Sequence, residues 1–262
     1  MLLAIDIGNT NIVIGGIRDD QIVFEARIAT DRIKTSDQYG VDIKNVLSLF
    51  DQKPRDIKDC IISSVVPPVF NSVRTGVVKV IGKQPMVVGP GIKTGLNIQM
   101  DTPSQVGSDR IVIAVAALAE YEPPLTLLDM GTATTIEVVG KGSTYLGGCI
   151  IPGVRVSLDA LTSRTAQLPG IRLDKPRKVI GKNTVDCMRS GIMYGTAAMV
   201  DGMLERVEEE LGFSTTVVAT GGMAQFIVPL CRREIRLEKD LLLKGLNILY
   251  KKNHLDRKKE EN

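Results

Sequence analysis

The chain reads Ala4-Ile5-Asp6-Ile7-Gly8-Asn9-Thr10 near its start, and the same pattern returns as Leu127-Leu128-Asp129-Met130-Gly131-Thr132-Ala133. Each copy is an apolar strand followed by Asp, an apolar residue, Gly and a polar residue. Both copies continue as a β-branched strand, a polar turn (Asp19-Asp20 or Lys141-Gly142) and a second strand. The repeat predicts a duplicated domain with a cleft between the copies, and a Pro pair places the boundary near Glu120–Pro124.

Around the first copy, the sequence predicts a three-stranded meander followed by alternating helices and strands. The meander strands are predicted at Leu2–Ile7, Asn11–Ile17 and Gln21–Ile28. The later elements are a helix at Ser36–Phe50, a strand at Cys60–Val66, a helix from Pro67 to about Val80, a strand at Gln84–Val88, and helices at Ser108–Glu120 and Asp186–Leu211. This order is typical of an α/β fold with mixed sheets flanked by helices, divided here into domains 1–120 and 121–262.

The composition of the 262 residues is that of a globular protein, with 44% hydrophobic and 24% charged residues. Aromatic residues make up only 4% and Trp is absent, which disfavours stacking against single-stranded nucleic acid. The one histidine, His254, lies in a charged tail. A catalytic triad and a histidine-bound zinc site are therefore disfavoured, and Asp, Glu or Lys is the expected general base.

Charge and apolar runs favour a cytoplasmic protein without nucleic-acid or membrane partners. The net charge is +3, and the basic tail from Lys251 is interpreted as a solvated helix end. The longest apolar run, Ile111–Ala119, is far shorter than the roughly 20 residues of a membrane span. No basic leader precedes Asp6, so no signal peptide is expected. The four widely spaced cysteines are expected to be reduced and buried.

The two Asp-x-Gly hairpins could serve as simple turns or as phosphate cradles. In the first hairpin, backbone amides with the side chains of Thr10 and Asn11 can donate to phosphate oxygens, and Asp6 can reach a hydrated Mg²⁺. A single such hairpin is more often only a turn. Two opposed copies favour a nucleotide site. A glycine-rich stretch, Gly76–Lys83, has the wrong spacing for a Walker A loop and is interpreted as a helix end.

A third motif, Gly107-Ser108-Asp109-Arg110, stands just before an apolar helical run. Ser and Asp at this point could cap the helix by accepting from its first amides. Alternatively, Asp109 could be a carboxylate base beside an anion-binding Arg110, as phosphate transfer to an alcohol requires in the absence of histidine. The two interpretations are compatible.

Six motifs in this order and spacing closely resemble the type III pantothenate kinases, within the acetate and sugar kinase, heat-shock chaperone and actin superfamily. The resemblance runs from Leu3 to about Tyr250. The motifs are Asp6 to Asn11, Ser104 to Arg110, Asp129 to Thr135, Tyr145 to Gly148 with Pro152-Gly153, Gly181 to Thr184 with Ser190 to Ile192, and Ala219 to Gly222.

The resemblance implies two ribonuclease H-like domains, ATP held between them, and phosphorylation of the pantothenate hydroxyl in the first step of coenzyme A synthesis. It implies that Asp109 is the general base and that Asp129 binds K⁺ or NH₄⁺. It also implies a homodimer with substrate close to the subunit interface. The residues implied for ATP with Mg²⁺ are Asp6, Gly8, Asn9, Thr10, Asn11, Thr132, Gly221 and Gly222, and those for pantothenate are Gly107, Ser108, Asp109, Arg110 and Thr184.

The chain departs from the family pattern at Ser108, where Ala is usual, at Met100, where many relatives carry an aromatic residue, and at Ile113, where Asn is common. These departures affect the expected substrate contacts but leave both hairpins intact. Two alternatives therefore remain open. One is a different small-molecule kinase or phosphatase of the same superfamily, and the other is a catalytically silent regulatory relative.

Overall fold

A computed structural model describes residues 1–260, with side chains described as far as His254. By its internal contacts the chain divides into two compact units. The first unit contains Met1–Leu96, Asp101–Ala119 and the segment from Asp240, and the second contains Asn97–Met100 and Glu120–Lys239. The second unit's long segment starts at Glu120, and the segment from Asp240 groups with the first unit. The domain limits 1–120 and 121–262 stay a prediction.

The first unit is built on a five-stranded mixed sheet in the order β3-β2-β1-β4-β5. Its strands are β1 (Leu2–Ile7), β2 (Asn11–Arg18), β3 (Gln21–Ala29), β4 (Asp59–Ser64) and β5 (Met86–Val87). β1 pairs antiparallel with β2 and parallel with β4. The predicted meander is confirmed, and the strand predicted at Gln84–Val88 is reduced to two residues.

Three helices of the first unit are α1 (Ser36–Leu49), α2 (Pro67–Ile81) and α3 (Ser108–Glu120), in agreement with the predicted helices. Thr35 caps α1, and Gln38 completes a capping box. α2 opens on the Pro pair, which suits a first helical turn, and ends at Gly82 with a φ of 70°. The glycine-rich stretch Gly76–Lys83 is therefore the end of a helix, as predicted.

The second unit carries a six-stranded sheet in the order β11-β10-β7-β8-β9-β6. Its strands are β6 (Asn97–Ile98), β7 (Leu125–Met130), β8 (Ala133–Gly140), β9 (Thr144–Pro152), β10 (Thr216–Thr220) and β11 (Arg236–Leu237). Apart from β6, this order repeats that of the first unit, since β7 pairs antiparallel with β8 and parallel with β10. The predicted duplication is thus visible in the topology.

The remaining helices are α4 (Val154–Ser163), α5 (Thr184–Leu211), α6 (Ala224–Ile227) and α7 (Leu241–Glu260). α5 begins two residues before the predicted Asp186. Its methionines Met193 and Met188 are buried, and Met193 belongs to the core of the second unit. None of the helices among the described residues is long and apolar enough to cross a membrane.

Both faces of the first sheet are covered, which is why β1 is buried along its whole length and is apolar except for Asp6. Alternate side chains of a strand point to opposite faces. Leu3, Ile5 and Ile7 join the core formed with α1 and α2. Leu2 and Ala4 join a second core formed with α3 and α7. α7 packs closely on α3, because a β-carbon on Gly245 would lie 2.1 Å from the carbonyl oxygen of Val112.

The expectation that all four cysteines are buried is wrong. Only Cys60 is buried, Cys149 and Cys231 are half-buried, and Cys187 is exposed. Cys187 lies in the first turn of α5, where neighbouring side chains are exposed as well. All four are free thiols, as predicted. Burial raises the pKa of the Cys60 thiol well above its usual value.

Candidate active site

The first hairpin joins β1 to β2 at the end of a buried strand. The Gly8 amide donates to the Asn11 carbonyl oxygen at 3.0 Å and closes the turn. Thr30, at the end of β3, donates its hydroxyl to the Gly8 carbonyl at 2.6 Å. Asn9, Thr10 and Asn11 are exposed above the turn, whereas Asp6 is only 6% exposed below it. Polar side chains are thus held on a rigid turn over a buried carboxylate, as a phosphate cradle requires.

The second hairpin has the same plan with a tighter turn. The Gly131 amide donates to the Ala133 carbonyl at 3.0 Å, so this turn is one residue shorter than its counterpart. Thr132 is exposed at its tip. The Thr132 carbonyl accepts from the Gly153 amide at 3.1 Å. A β-carbon on Gly153 would lie 2.3 Å from that carbonyl oxygen, so glycine is needed where the chain enters α4.

The glycine turn after β10 lies against the end of β7. Thr220 pairs with Asp129 across the parallel strands, and Gly221 follows with a φ of 92°. A β-carbon on Gly221 would lie 2.5 Å from Oδ1 of Asp129. The Met223 amide donates to the Met130 carbonyl at 3.1 Å. The fold therefore brings three predicted site elements of the second unit together: Asp129, the Thr132 hairpin and the Gly221-Gly222 turn.

The Gly107–Arg110 segment lies at the carboxyl end of the first sheet. The Gly107 carbonyl accepts from the Ile111 amide at 3.3 Å and starts α3. Asp109 accepts from the Arg110 amide at 2.8 Å, so its carboxylate satisfies one amide of the first turn, as the capping interpretation predicts. The Ser108 hydroxyl instead contacts the end of β4, through Ser63 and Ser64. Its predicted capping of α3 is thus wrong.

The first hairpin and the Gly107–Arg110 segment lie at the same end of the first sheet. In the parallel pairing of β1 with β4, Asp6 is opposite Ser63 and Ile7 is opposite Ser64. Ser63 also bonds Ser108 at the start of α3. β4 therefore contacts both β1, which carries Asp6, and α3, which carries Asp109. Two of the predicted carboxylates therefore stand at the same end of the same sheet.

The predicted substrate residue Thr184 lies at the first turn of α5. Asn183 caps this helix by accepting from the Asp186 amide at 2.9 Å, and Thr184 is exposed. Gly181 packs against the same turn, since a β-carbon there would lie 2.4 Å from the Cys187 amide nitrogen. Thr184 belongs to the second unit and Asp109 to the first.

The single histidine is positioned far from these carboxylates. His254 on α7 has its Nδ1 4.0 Å from Oδ2 of Asp59, at the start of β4. Ser63 and Ser64 mark the other end of that six-residue strand, about 17 Å away at the usual rise per residue. His254 is therefore remote from the end of β4 where Ser63 and Ser64 bond Ser108.

A family model for type III pantothenate kinases matches residues 2–206. The chain belongs to the type III pantothenate kinase family. A type III pantothenate kinase of Exiguobacterium sibiricum is 44% identical over 97% of this chain and 100% of its own length. The matched range holds both hairpins, the Gly107–Arg110 segment and Thr184, whereas Gly221 and Gly222 lie beyond it.

Solved structures with low sequence identity share the fold. A Baf family protein from Campylobacter jejuni superimposes with a TM-score of 0.60 at 19% identity, over 96% of this chain and 98% of its own. A ROK hexokinase from Thermus thermophilus gives a TM-score of 0.51 at 12% identity, over 97% and 99%. The chain therefore shares with these two proteins an α/β fold in which two mixed sheets are flanked by helices.

A buried carboxylate of this type III pantothenate kinase family member, Asp6, lies where it could help to bind a divalent metal. Among the described residues, no group of three or more His, Cys, Asp and Glu side chains is placed to hold a metal ion. Mg²⁺ commonly uses one or two carboxylates, with the remaining ligands from substrate phosphates and water. Asp6 beneath the first hairpin can supply such a carboxylate.

Proposed function

We propose that the protein transfers the γ-phosphoryl group of ATP to the terminal hydroxyl of pantothenate, forming 4′-phosphopantothenate at the entry to coenzyme A synthesis. The observation that carries the proposal is the family match over residues 2–206, which contains both hairpins and the proposed base. The fold found in a ROK hexokinase agrees with a kinase. No specific observation favours a regulatory role or a phosphatase.

For ATP, we assign the phosphates to the two hairpins. Asn9, Thr10 and Asn11 stand exposed on the first, and Thr132 on the second. The Gly8 amide is already used within its own turn, so Gly8 contributes by allowing close approach rather than by donating. We place Gly221 and Gly222 beside the nucleoside. Asp6 would hold Mg²⁺, which neutralises charge that develops on the phosphoryl oxygens when it is bound.

For pantothenate, we assign Gly107, Asp109, Arg110 and Thr184 as contacts. Asp109 accepts the proton of the attacking hydroxyl as the oxygen–phosphorus bond forms and the bond to ADP breaks. The protonated carboxyl then loses that proton to solvent. Arg110 would pair with the anionic end of the substrate, for which its guanidinium is suited. The resemblance implies a substrate contact for Ser108 too, but its hydroxyl is bonded to Ser63 and Ser64.

The proposal also includes a monovalent cation, K⁺ or NH₄⁺, at Asp129. The support is a single carboxylate at the end of β7, with the Gly221 backbone packed against it. A cation there would supply positive charge beside the phosphates. A homodimer and a cytoplasmic location complete the proposal and rest on the family membership.

A substrate panel tests the function. Purified protein would be given millimolar ATP, Mg²⁺ and K⁺ with pantothenate, pantothenol, glycerate, glucose or N-acetylglucosamine, and products would be identified by mass. We expect rapid phosphorylation of pantothenate and little of the sugars. Rapid phosphorylation of a sugar without that of pantothenate would assign the acceptor to another kinase of the superfamily. ATP hydrolysis with no phosphorylated acceptor would favour the phosphatase alternative.

A further inference from the structure

The Ser108 hydroxyl is fully occupied by contacts within the first unit. It accepts from the Ser63 hydroxyl at 2.9 Å and from the Ser64 amide at 3.1 Å. It donates to the Ser64 carbonyl at 3.0 Å. A serine hydroxyl has one hydrogen and two lone pairs, so these three bonds use its whole capacity. Its oxygen has nothing left to offer a substrate.

These bonds tie the first turn of α3 to the carboxyl end of β4. Ser63 is completely buried, so its hydroxyl needs a partner inside the protein. Ser64 contributes both its amide and its carbonyl, at the point where β4 ends. The register of β4 with β1 places this tie directly beside the strand that carries Asp6. The tie therefore fixes the helix start relative to the first hairpin.

Asp109 follows Ser108 directly, and its carboxylate has little room. A β-carbon on Gly107 would lie 2.5 Å from Oδ1 of Asp109 and 3.4 Å from Val65. The same Oδ1 accepts from the Arg110 amide. The backbone of Gly107 and of Arg110 restricts the position of this carboxylate. A shift of the Ser108 backbone would therefore also move the Asp109 carboxylate. A displacement of about 1 Å in a catalytic group is enough to slow the reaction that it catalyses.

We propose that Ser108 is a positioning residue for Asp109 and makes no side-chain contact with pantothenate. The inference rests on the proposed role of Asp109 as the general base. It assigns a separate task to each of two consecutive residues in the Gly107–Arg110 segment. Ser108 holds the helix start in place, and Asp109 faces the acceptor hydroxyl.

The test compares Ser108→Ala, Ser63→Ala and the double variant, with Ser48→Ala on the exposed side of α1 as the matched control. For Ser108→Ala we expect kcat to fall roughly tenfold, with the KM for pantothenate nearly unchanged. A tenfold change corresponds to about the net contribution of one hydrogen bond. Ser63→Ala should lower kcat less, because Ser108 keeps its two bonds to Ser64. The double variant should be no worse than Ser108→Ala, because the bond between Ser63 and Ser108 is already lost in Ser108→Ala.

Three results would overturn the inference. A raised KM with unchanged kcat in Ser108→Ala would make its hydroxyl a substrate contact. A lower melting temperature with both constants unchanged would make its role purely structural. Unchanged hydrogen exchange at the Arg110 and Ile111 amides would contradict the tie itself, and this measurement needs no activity. Asp109→Asn separates the two proposals. Normal turnover in Asp109→Asn would exclude Asp109 as the general base. An inactive Asp109→Asn together with a fully active Ser108→Ala would exclude only the positioning role of Ser108.

Discussion

Gly221 lies so close to Asp129 that a β-carbon on Gly221 would be 2.5 Å from the carboxylate Oδ1. The same β-carbon would be 2.6 Å from the Met130 amide nitrogen, and Gly221 has a φ of 92°. Glycine therefore meets two demands at once, a left-handed backbone and contact with a carboxylate. The glycine beside it, Gly222, has open space where a β-carbon would be.

This difference predicts that Gly221→Ala loses stability and that Gly222→Ala does not. Gly221→Ala should lower the free energy of unfolding by about 1 kcal/mol or more, because alanine is strained at this φ and the backbone of β7 cannot move aside easily. It should also weaken ATP binding, since Asp129 would be displaced. Gly222→Ala serves as the stability control and should unfold like the wild type. Denaturant titration and calorimetric ATP titration measure both effects, and equal stabilities for the two variants would contradict the packing described.

The monovalent cation assigned to Asp129 predicts a dependence on the salt used. Replacing K⁺ by Na⁺ should lower kcat by about tenfold, because a smaller ion would not satisfy the same oxygen ligands. Choline chloride at equal concentration controls for ionic strength. In Asp129→Asn the difference between K⁺ and Na⁺ should disappear. Equal wild-type rates in all three salts would exclude a cation at this position.

The four thiols should differ in their reactivity in the native protein. Cys187 is exposed, whereas Cys60 is buried and burial raises its pKa well above the usual value. Burial, and to a lesser extent Asp201, raises the pKa of Cys231 to about 12. Titration with a chromogenic disulfide at pH 8 should therefore show one fast thiol, absent in Cys187→Ser, with Cys60 reacting only after denaturation. Fast labelling of Cys60 in the native state would contradict the fold of β4.

Tyr250 predicts a loss of stability at high pH. Burial first, and then its hydrogen bond to Asp59 at 2.9 Å, raises the pKa of this phenol above its usual value of 10.0. Because the folded state disfavours the phenolate, the contribution of Tyr250 is complete below about pH 10 and is lost as the pH rises further. The free energy of unfolding should fall more between pH 8 and pH 10.5 in the wild type than in Tyr250→Phe. Parallel losses in the two proteins would show that Tyr250 does not titrate in this way.

Local patterns in the sequence were sufficient for the three-stranded meander, for the helices α1, α2, α3 and α5, and for the two hairpins. Apolar runs ending in Asp-x-Gly predicted β1 and β7, and helical spacing predicted α3 at its observed bounds. The resemblance of the motifs to a known family, rather than periodicity, pointed to the activity. The match of the family model bears out that family.

Long-range packing was not visible in the sequence. Serine at a helix start is typical of a cap, yet the partners of Ser108 are Ser63 and Ser64, more than forty residues earlier in the sequence. Gly153 was part of one of the family motifs, and only the structure shows its contact with the Thr132 carbonyl. The grouping of α7 with the first unit depends on its packing against α3, for which no local pattern exists.

Single-turnover measurement of phosphopantothenate tests most directly whether Asp109 takes the proton of the pantothenate hydroxyl. Wild type and Asp109→Asn would be mixed with ATP, Mg²⁺, K⁺ and pantothenate, with ATP binding measured in parallel by calorimetry. We expect the wild type to form product and Asp109→Asn to bind ATP normally while forming product at least about a hundredfold more slowly, the usual contribution of a general base. Near-normal product formation by Asp109→Asn would contradict the account.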